Sequence, residues 1–151
     1  MFLTCDEASR VSQTRPRHER WHREGIQSTS EIGRVLDGLV EALEAHGYSC
    51  KDVFGIRLAV EEALVNAVKH GHGGDPTKRV SIRYCVGAKR VLVEVEDQGP
   101  GFDPELVPDP LDPKNLERPC GRGLLLMRSY LTSVRFSRKG SRVTLYKRRS
   151  A

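Results

Sequence analysis

The chain has 151 residues, 38% hydrophobic and 30% charged, with 25 Lys and Arg against 20 Asp and Glu. One domain of this length buries roughly 70% of its unfolded surface, so it needs no disulfide or structural metal to fold. The net charge of +5 is mild, no apolar run nears the roughly 20 residues of a membrane span, and the opening MFLTCDEASR becomes charged too soon for a secretion signal.

A cytoplasmic location is therefore expected. Residues 1–20 are polar and Arg-rich without periodicity, which predicts a flexible basic tail ahead of a domain over 21–148. Trp21 to Gln27 reads as a strand. Ser28 and Glu31 stand at capping-box spacing, and Ile32, Val35, Leu36, Leu39, Val40 and Leu43 follow at helical intervals until Gly47, a C-cap residue. Ser49, with Asp52 after it, starts a second helix that reads from Val53 to His70, with Phe54, Leu58, Ala63, Leu64, Ala67 and Val68 as its apolar contacts. Gly71, Gly73, Gly74 and Pro76 break it.

Val80 to Val86 and Val91 to Asp97 read as strands joined by a hairpin at Gly87-Ala88-Lys89. In the second, Val91, Val93 and Val95 alternate with Leu92, Glu94 and Glu96, so one face is directed to a core. From Gln98 to Pro119 periodicity stops in a proline-rich run, and a loop of that length inside a compact domain signals function. Gly121-Arg122-Gly123 then opens a short helix, Leu124 to Leu131. Ser133 to Ser137 and Arg142 to Lys147 form a closing hairpin around Lys139-Gly140. Helices and strands come in blocks, which predicts an α+β fold: a two-layer sandwich whose mixed sheet is largely antiparallel.

Three segments carry polar groups with chemical potential. Glu62 and Asn66 lie four apart on the second helix and share a face. On that helix alone a solvated surface stripe, which Glu61 and Lys69 would share, explains them better. Asp97-Gln98-Gly99-Pro100-Gly101 leaves a strand with one carboxylate at the sheet edge and glycines that let backbone approach a ligand, although the same residues also make plain turns. Gly121-Arg122-Gly123 feeds a helix N-terminus at Leu124, where unpaired N–H groups favour phosphate oxygens.

Taken in order, the three segments resemble the motifs of GHKL ATPases, the gyrase, histidine kinase and MutL group with its Bergerat ATP-binding fold. LAVEEALVNAVKHGH, Leu58 to His72, resembles the N-box; VEDQGPGFDP, Val95 to Pro104, the first glycine box; and GRGLLLM, Gly121 to Met127, the second. There is no G-x-x-x-x-G-K-[ST] segment, so a P-loop does not compete. The form E-A-x-x-N-A-x-x-H-G, Glu62 to Gly71, is similar to bacterial anti-sigma factor serine kinases, and that likeness extends over about residues 21–148.

The resemblance implies magnesium-ATP as cofactor. It makes Asn66 the magnesium ligand, Asp97 the acceptor for the adenine amino group, and Glu62 the base that takes a proton from a serine hydroxyl or water. Gly99 and Gly101 form the base of an ATP lid that Gly121, Arg122, Gly123 and Leu124 close over the phosphates, and Ser141 lies beside the adenine. Lys69 and His70, a turn beyond Asn66, are within reach of phosphates or of the helix end. The implied partners are an anti-anti-sigma protein of the STAS type, which is phosphorylated, and a sigma factor; a homodimer paired through the sheet side is a further expectation. The alternative is a non-catalytic module of the same fold that holds ATP only to shape a partner-binding surface.

Other chemistry has less support. Cys5, Cys50, Cys85 and Cys120 form no C-x-x-C pair, and His70 and His72 have no companions to complete a zinc site. Basic side chains cluster near both ends, at Arg10 to Arg23 and Lys147 to Arg149, without the aromatic interleaving or reading motif that direct nucleic-acid binding needs.

Overall fold

The computed structural model describes residues 20–71, 78–98, 128–137 and 141–150. Strand β1 (Trp21–Ile26) leads through a short 3-10 turn (Thr29–Glu31) into helices α1 (Ile32–Ala45) and α2 (Cys50–Asn66), and α2 continues as a π-helical turn, Ala67–Gly71. Strands β2 (Val80–Val86), β3 (Arg90–Asp97), β4 (Ser133–Phe136) and β5 (Arg142–Arg148) complete one sheet in the order β1-β2-β3-β5-β4. Every pairing among these strands is antiparallel. No helix among the described residues is long and apolar enough to cross a membrane.

Each element begins and ends for a local reason. The Glu31 carboxylate accepts hydrogen bonds from the N–H groups of Gln27 (2.6 Å) and Ser28 (3.0 Å), donors that the turn would otherwise leave open. α1 buries Ile32, Val35, Leu36, Leu39 and Leu43. It closes as a Schellman motif: Gly47 N–H donates to Glu44 O (2.9 Å) and Tyr48 N–H to Leu43 O (3.1 Å). That reversal needs φ of +73° at Gly47, which glycine adopts without steric cost. α2 starts on Ser49, whose side chain accepts from Asp52 N–H at 3.2 Å. The start therefore lies at Cys50, three residues ahead of the Val53 that periodicity suggests.

Alternation then divides the sheet into two faces. Ile26, Val80, Ile82, Val91, Val93, Val95, Val143 and Leu145 face α1 and α2 and form one cluster with Leu36, Leu39, Ile56, Val60 and Leu64. Phe54, which the spacing assigns to that core, is instead 59% exposed and meets Tyr130 edge-on. It shares the helix face of Arg57 and Glu61, opposite the buried Ile56, Ala59 and Ala63.

The opposite face carries the row Trp21–Cys85–Leu92–Tyr146, in cross-strand register. The same alternation puts Arg23, Arg83, Arg90, Arg135, Arg142 and Arg148 on this face beside Glu94 and Glu96. Arg83 pairs with Glu94 (2.5 Å) and lies over the Trp21 ring, and Arg142 pairs with Glu96 (3.3 Å).

Residues after β5 return to the helices. Ser150 donates from N–H (2.9 Å) and Oγ (2.6 Å) to the Asp52 carboxylate. Arg149 donates to the carbonyls of His46 (3.0 Å), Gly47 (2.5 Å) and Ala88 (3.0 Å), and its guanidinium covers the Tyr48 ring at 4.9 Å. One side chain thus satisfies the carbonyl end of α1 and the hairpin between β2 and β3, adding positive charge where the helix dipole favours it.

Candidate nucleotide site

Glu62 and Asn66 occupy the last turns of α2, both half-buried, on the side of the helix that neither faces solvent fully nor enters the core. Ala59 and Ala63, each three positions before one of them, border that face and Leu64 lies on the far side; all three are buried in the core, which fixes the rotation of the helix and so the direction of both polar groups. Directly after Asn66 the backbone changes to π-helical hydrogen bonding. Such turns are rare, cost regularity, and occur frequently at functional sites. The sequence expectation of an uninterrupted helix to His70 missed it. The glycine at 71 marks the end of the helix but not the change of pitch.

The π-helical turn packs against β3, which brings the end of α2 to the strand that carries Asp97. Asp97 is the last residue of β3 and pairs with Val80. It has the same parity as Val91, Val93 and Val95, so its carboxylate projects on the helix-covered side of the sheet, half-buried. Its N–H donates to Ser141 O at 2.9 Å, which places Ser141, just before β5, beside it. Gln98 next accepts from Arg79 N–H through its side chain (2.9 Å), tying the strand end to the start of β2. Glu62 and Asn66 thus lie on the helix layer and Asp97 and Ser141 on the sheet layer.

Gly99, Gly101, Gly121, Arg122, Gly123 and Leu124 lie outside the described residues, as do the side chain of His70 and most of the helix expected over 124–131, of which 128–130 are helical. Lys69 is exposed on the π-helical turn. Among the described residues no group of three His, Cys, Asp or Glu side chains is arranged to hold a metal ion.

Two helices covering one face of an antiparallel sheet agree with the architecture of a histidine kinase-like ATPase domain. Residues 27–147 match that family, and the chain belongs to it. Within it, the chain is similar to serine-protein kinase RsbW of Bacillus licheniformis, 37% identical over 110 residues that cover 69% of this chain and 67% of the relative. RsbW of Bacillus subtilis (strain 168) is 34% identical over 110 residues, covering 69% and 67%. Among solved structures, the RsbU and RsbW domains of a Mycobacterium tuberculosis protein superimpose with a TM-score of 0.57 at 19% identity, covering 85% of this chain. This chain spans 32% of that longer one, and the likeness is one of fold.

Proposed function

We propose that this chain is a cytoplasmic serine kinase that binds magnesium-ATP, phosphorylates an anti-anti-sigma protein of the STAS type, and binds a sigma factor. The observation that carries the reading is the convergence of two layers. Strand parity turns Asp97 toward the helices at the end of β3 against which the turn following Asn66 packs. Similarity to proteins named serine-protein kinase RsbW supports the reaction class.

The residues present fit the cofactor. A carboxamide oxygen is a hard donor suited to magnesium, which accepts one or two protein ligands beside phosphates and water. A half-buried carboxylate at a strand end suits an exocyclic amino group, because it accepts without donating. When bound, magnesium-ATP supplies the phosphoryl group and a cation that neutralises its charge. Asn66 would hold the cation through its carboxamide oxygen, and Asp97, with Ser141 beside it, would orient the adenine. Glu62, one turn before Asn66, takes the proton of the attacking serine hydroxyl as its oxygen bonds to the γ-phosphorus and the bond to ADP breaks. The glycine segments at Gly99, Gly101 and Gly121 to Leu124 would supply backbone N–H donors, and Arg122 a guanidinium, to the phosphates.

Calorimetric titration with magnesium-ATP and magnesium-GTP tests the reading, run on the native chain and Asp97→Asn. Loss of a hydrogen bond to a charged acceptor, about 1.5–3 kcal/mol, predicts roughly 10- to 150-fold weaker ATP binding. Selectivity over GTP should shrink with it. Absence of saturable binding at millimolar ATP would remove the nucleotide reading altogether. Binding without transfer of labelled phosphate to any STAS-type protein would favour the module over the kinase.

A further inference from the structure

The end of β3 is held from both sides, and on one side a side chain stands in for main chain. Asp97 N–H donates to Ser141 O (2.9 Å), so the backbone N–H and C=O of Asp97 point to β5. Successive residues of an antiparallel strand direct these groups to opposite neighbours. Asp97 and Val80 are therefore a pair without ladder bonds between them. The next pair outward, Arg79 with Gln98, is one whose backbone groups point at each other. Both strands stop short of it, β2 beginning at Val80 and β3 ending at Asp97. Arg79 N–H nevertheless meets an acceptor there, the Gln98 side-chain Oε1 at 2.9 Å. The carboxamide thus makes the rung that the main-chain carbonyl of residue 98 would make, and the backbone bends at Gln98 without orphaning the Arg79 donor.

We propose that Gln98 is a positioning residue for nucleotide selection, fixing the end of β3 and with it the direction in which the Asp97 carboxylate projects. This role rests on the reading of Asp97 as the acceptor for the adenine amino group. GTP carries a carbonyl oxygen where ATP carries that amino group, so a carboxylate separates the two only when it is aimed at that position. Such aim has to hold within about 0.5 Å and 10–20°. The last residue of a strand is where it is most easily lost, because strand ends open locally at little cost. Asp97 has no ladder bond of its own to β2, and the bond from Arg79 to Gln98 secures that side one residue further out. The chemistry required at 98 is narrow: an acceptor on a stem of two methylenes. Glutamate supplies it, methionine matches the length without the carbonyl, and asparagine is one methylene short. Gln98 acts through Asp97 and needs no contact with the nucleotide.

Two readouts on the full chain test this role: hydrogen exchange at the Arg79 amide, which needs no nucleotide, and calorimetric titration with magnesium-ATP and magnesium-GTP. Gln98→Met should speed exchange at Arg79 and lower the preference for ATP over GTP by about two- to tenfold, the worth of one hydrogen bond. Gln98→Glu should keep both near native values. Taking the ratio of the two affinities removes the effect of its added charge, which acts on the phosphates of both nucleotides alike. In the Asp97→Asn background, Gln98→Met should lower the preference no further, because the two changes act on one interaction. An unchanged preference in Gln98→Met, with ATP still bound, overturns the positioning role and leaves the nucleotide reading intact. Unchanged exchange at Arg79 overturns it as well, as does an equal fall in the Asp97→Asn background, where the effect could not pass through the carboxylate. Absence of saturable ATP binding by the native chain overturns the role and the nucleotide reading together.

Discussion

At its first turn α2 is fixed by groups from distant parts of the chain. Ser49 caps it at 3.2 Å, and the Asp52 carboxylate, 2% exposed, is held by Ser150 through two hydrogen bonds and lies 3.8 Å from Lys147. At its last turn the same helix leaves α-helical geometry immediately after Asn66, with Glu62 and Asn66 only half-buried. One end is tied down by buried, charge-assisted bonds, and the other keeps polar groups partly wet on a backbone out of regular pitch. Asp52 is separated from Glu62 and Asn66 by about 15 and 21 Å of helix, so a change at one end should leave the other nearly untouched. Sites more than about 10 Å apart with no shared partner generally behave additively.

The largest effect expected from breaking that separation is on chemistry. Glu62→Gln keeps size and hydrogen-bonding reach but cannot take a proton, so phosphate transfer to a STAS-type partner should fall by about 100- to 10,000-fold. ATP affinity by calorimetry and the thermal midpoint should both stay within error. A variant that retained transfer would displace Glu62 from the base role. Asp52→Ala should do the reverse. Removing the acceptor of two bonds to Ser150 and the neighbour of Lys147 should cost about 2–3 kcal/mol, a fall of roughly 5–10 °C in the thermal midpoint for a chain of this size. ATP affinity measured well below that midpoint should not change. If it did, the two ends of α2 would be coupled.

A smaller loss is expected where the same C-terminal residues meet α1. Gly47→Ala places a Cβ on a residue at φ +73° and 3.3 Å from the Arg149 guanidinium. The left-handed conformation costs a non-glycine residue about 1 kcal/mol, and the end of a long side chain can shift aside. The thermal midpoint should fall by about 3 °C. A drop as large as that of Asp52→Ala would mean that Arg149 cannot move.

What could be read from the sequence was whatever is local. Alternation in Val91, Val93 and Val95 assigned the core face of β3. Helical spacing over Ile32 to Leu43 assigned α1, and Gly47 its end. What was missed depends on contacts between distant residues. Asp52 looked like a helix-start residue and is also the anchor for Ser150, 98 positions away. Phe54 reads as an apolar contact of the second helix but faces out beside Tyr130, because the buried side of that helix is set by Ile56, Ala59 and Ala63. The π-helical turn after Asn66 has no pattern that distinguishes it from a continuing helix. Of the proposed site, Glu62, Asn66, Asp97 and Ser141 are placed on two facing layers, while the glycine segments lie outside the described residues.

Acid titration distinguishes the anchored end in another way. Burial by itself pushes the Asp52 carboxyl up, but the bonds from Ser150, with Lys147 and Lys51 nearby, outweigh it and hold the group below its ordinary value of 3.8. A carboxyl whose pKa is lower in the folded chain than in the unfolded one adds stability that is complete above the unfolded value and disappears as pH falls through the folded one. The stability gap between the native chain and Asp52→Ala, measured by urea unfolding, should therefore be constant from neutral pH to about 5 and narrow below about 4. It should not close, because the protonated carboxyl still accepts from Ser150. Glu31 is shifted in the same direction by the N–H groups of Gln27 and Ser28, but it is only half-buried in a surface turn, and water competes for those bonds. In Asp52→Ala the remaining acid sensitivity should consequently be shallower, and substituting Glu31→Gln in that background should flatten it further by the smallest increment of the series. An Asp52 gap that instead widened on acidification would mean that burial, rather than the Ser150 bonds, dominates at this end of α2.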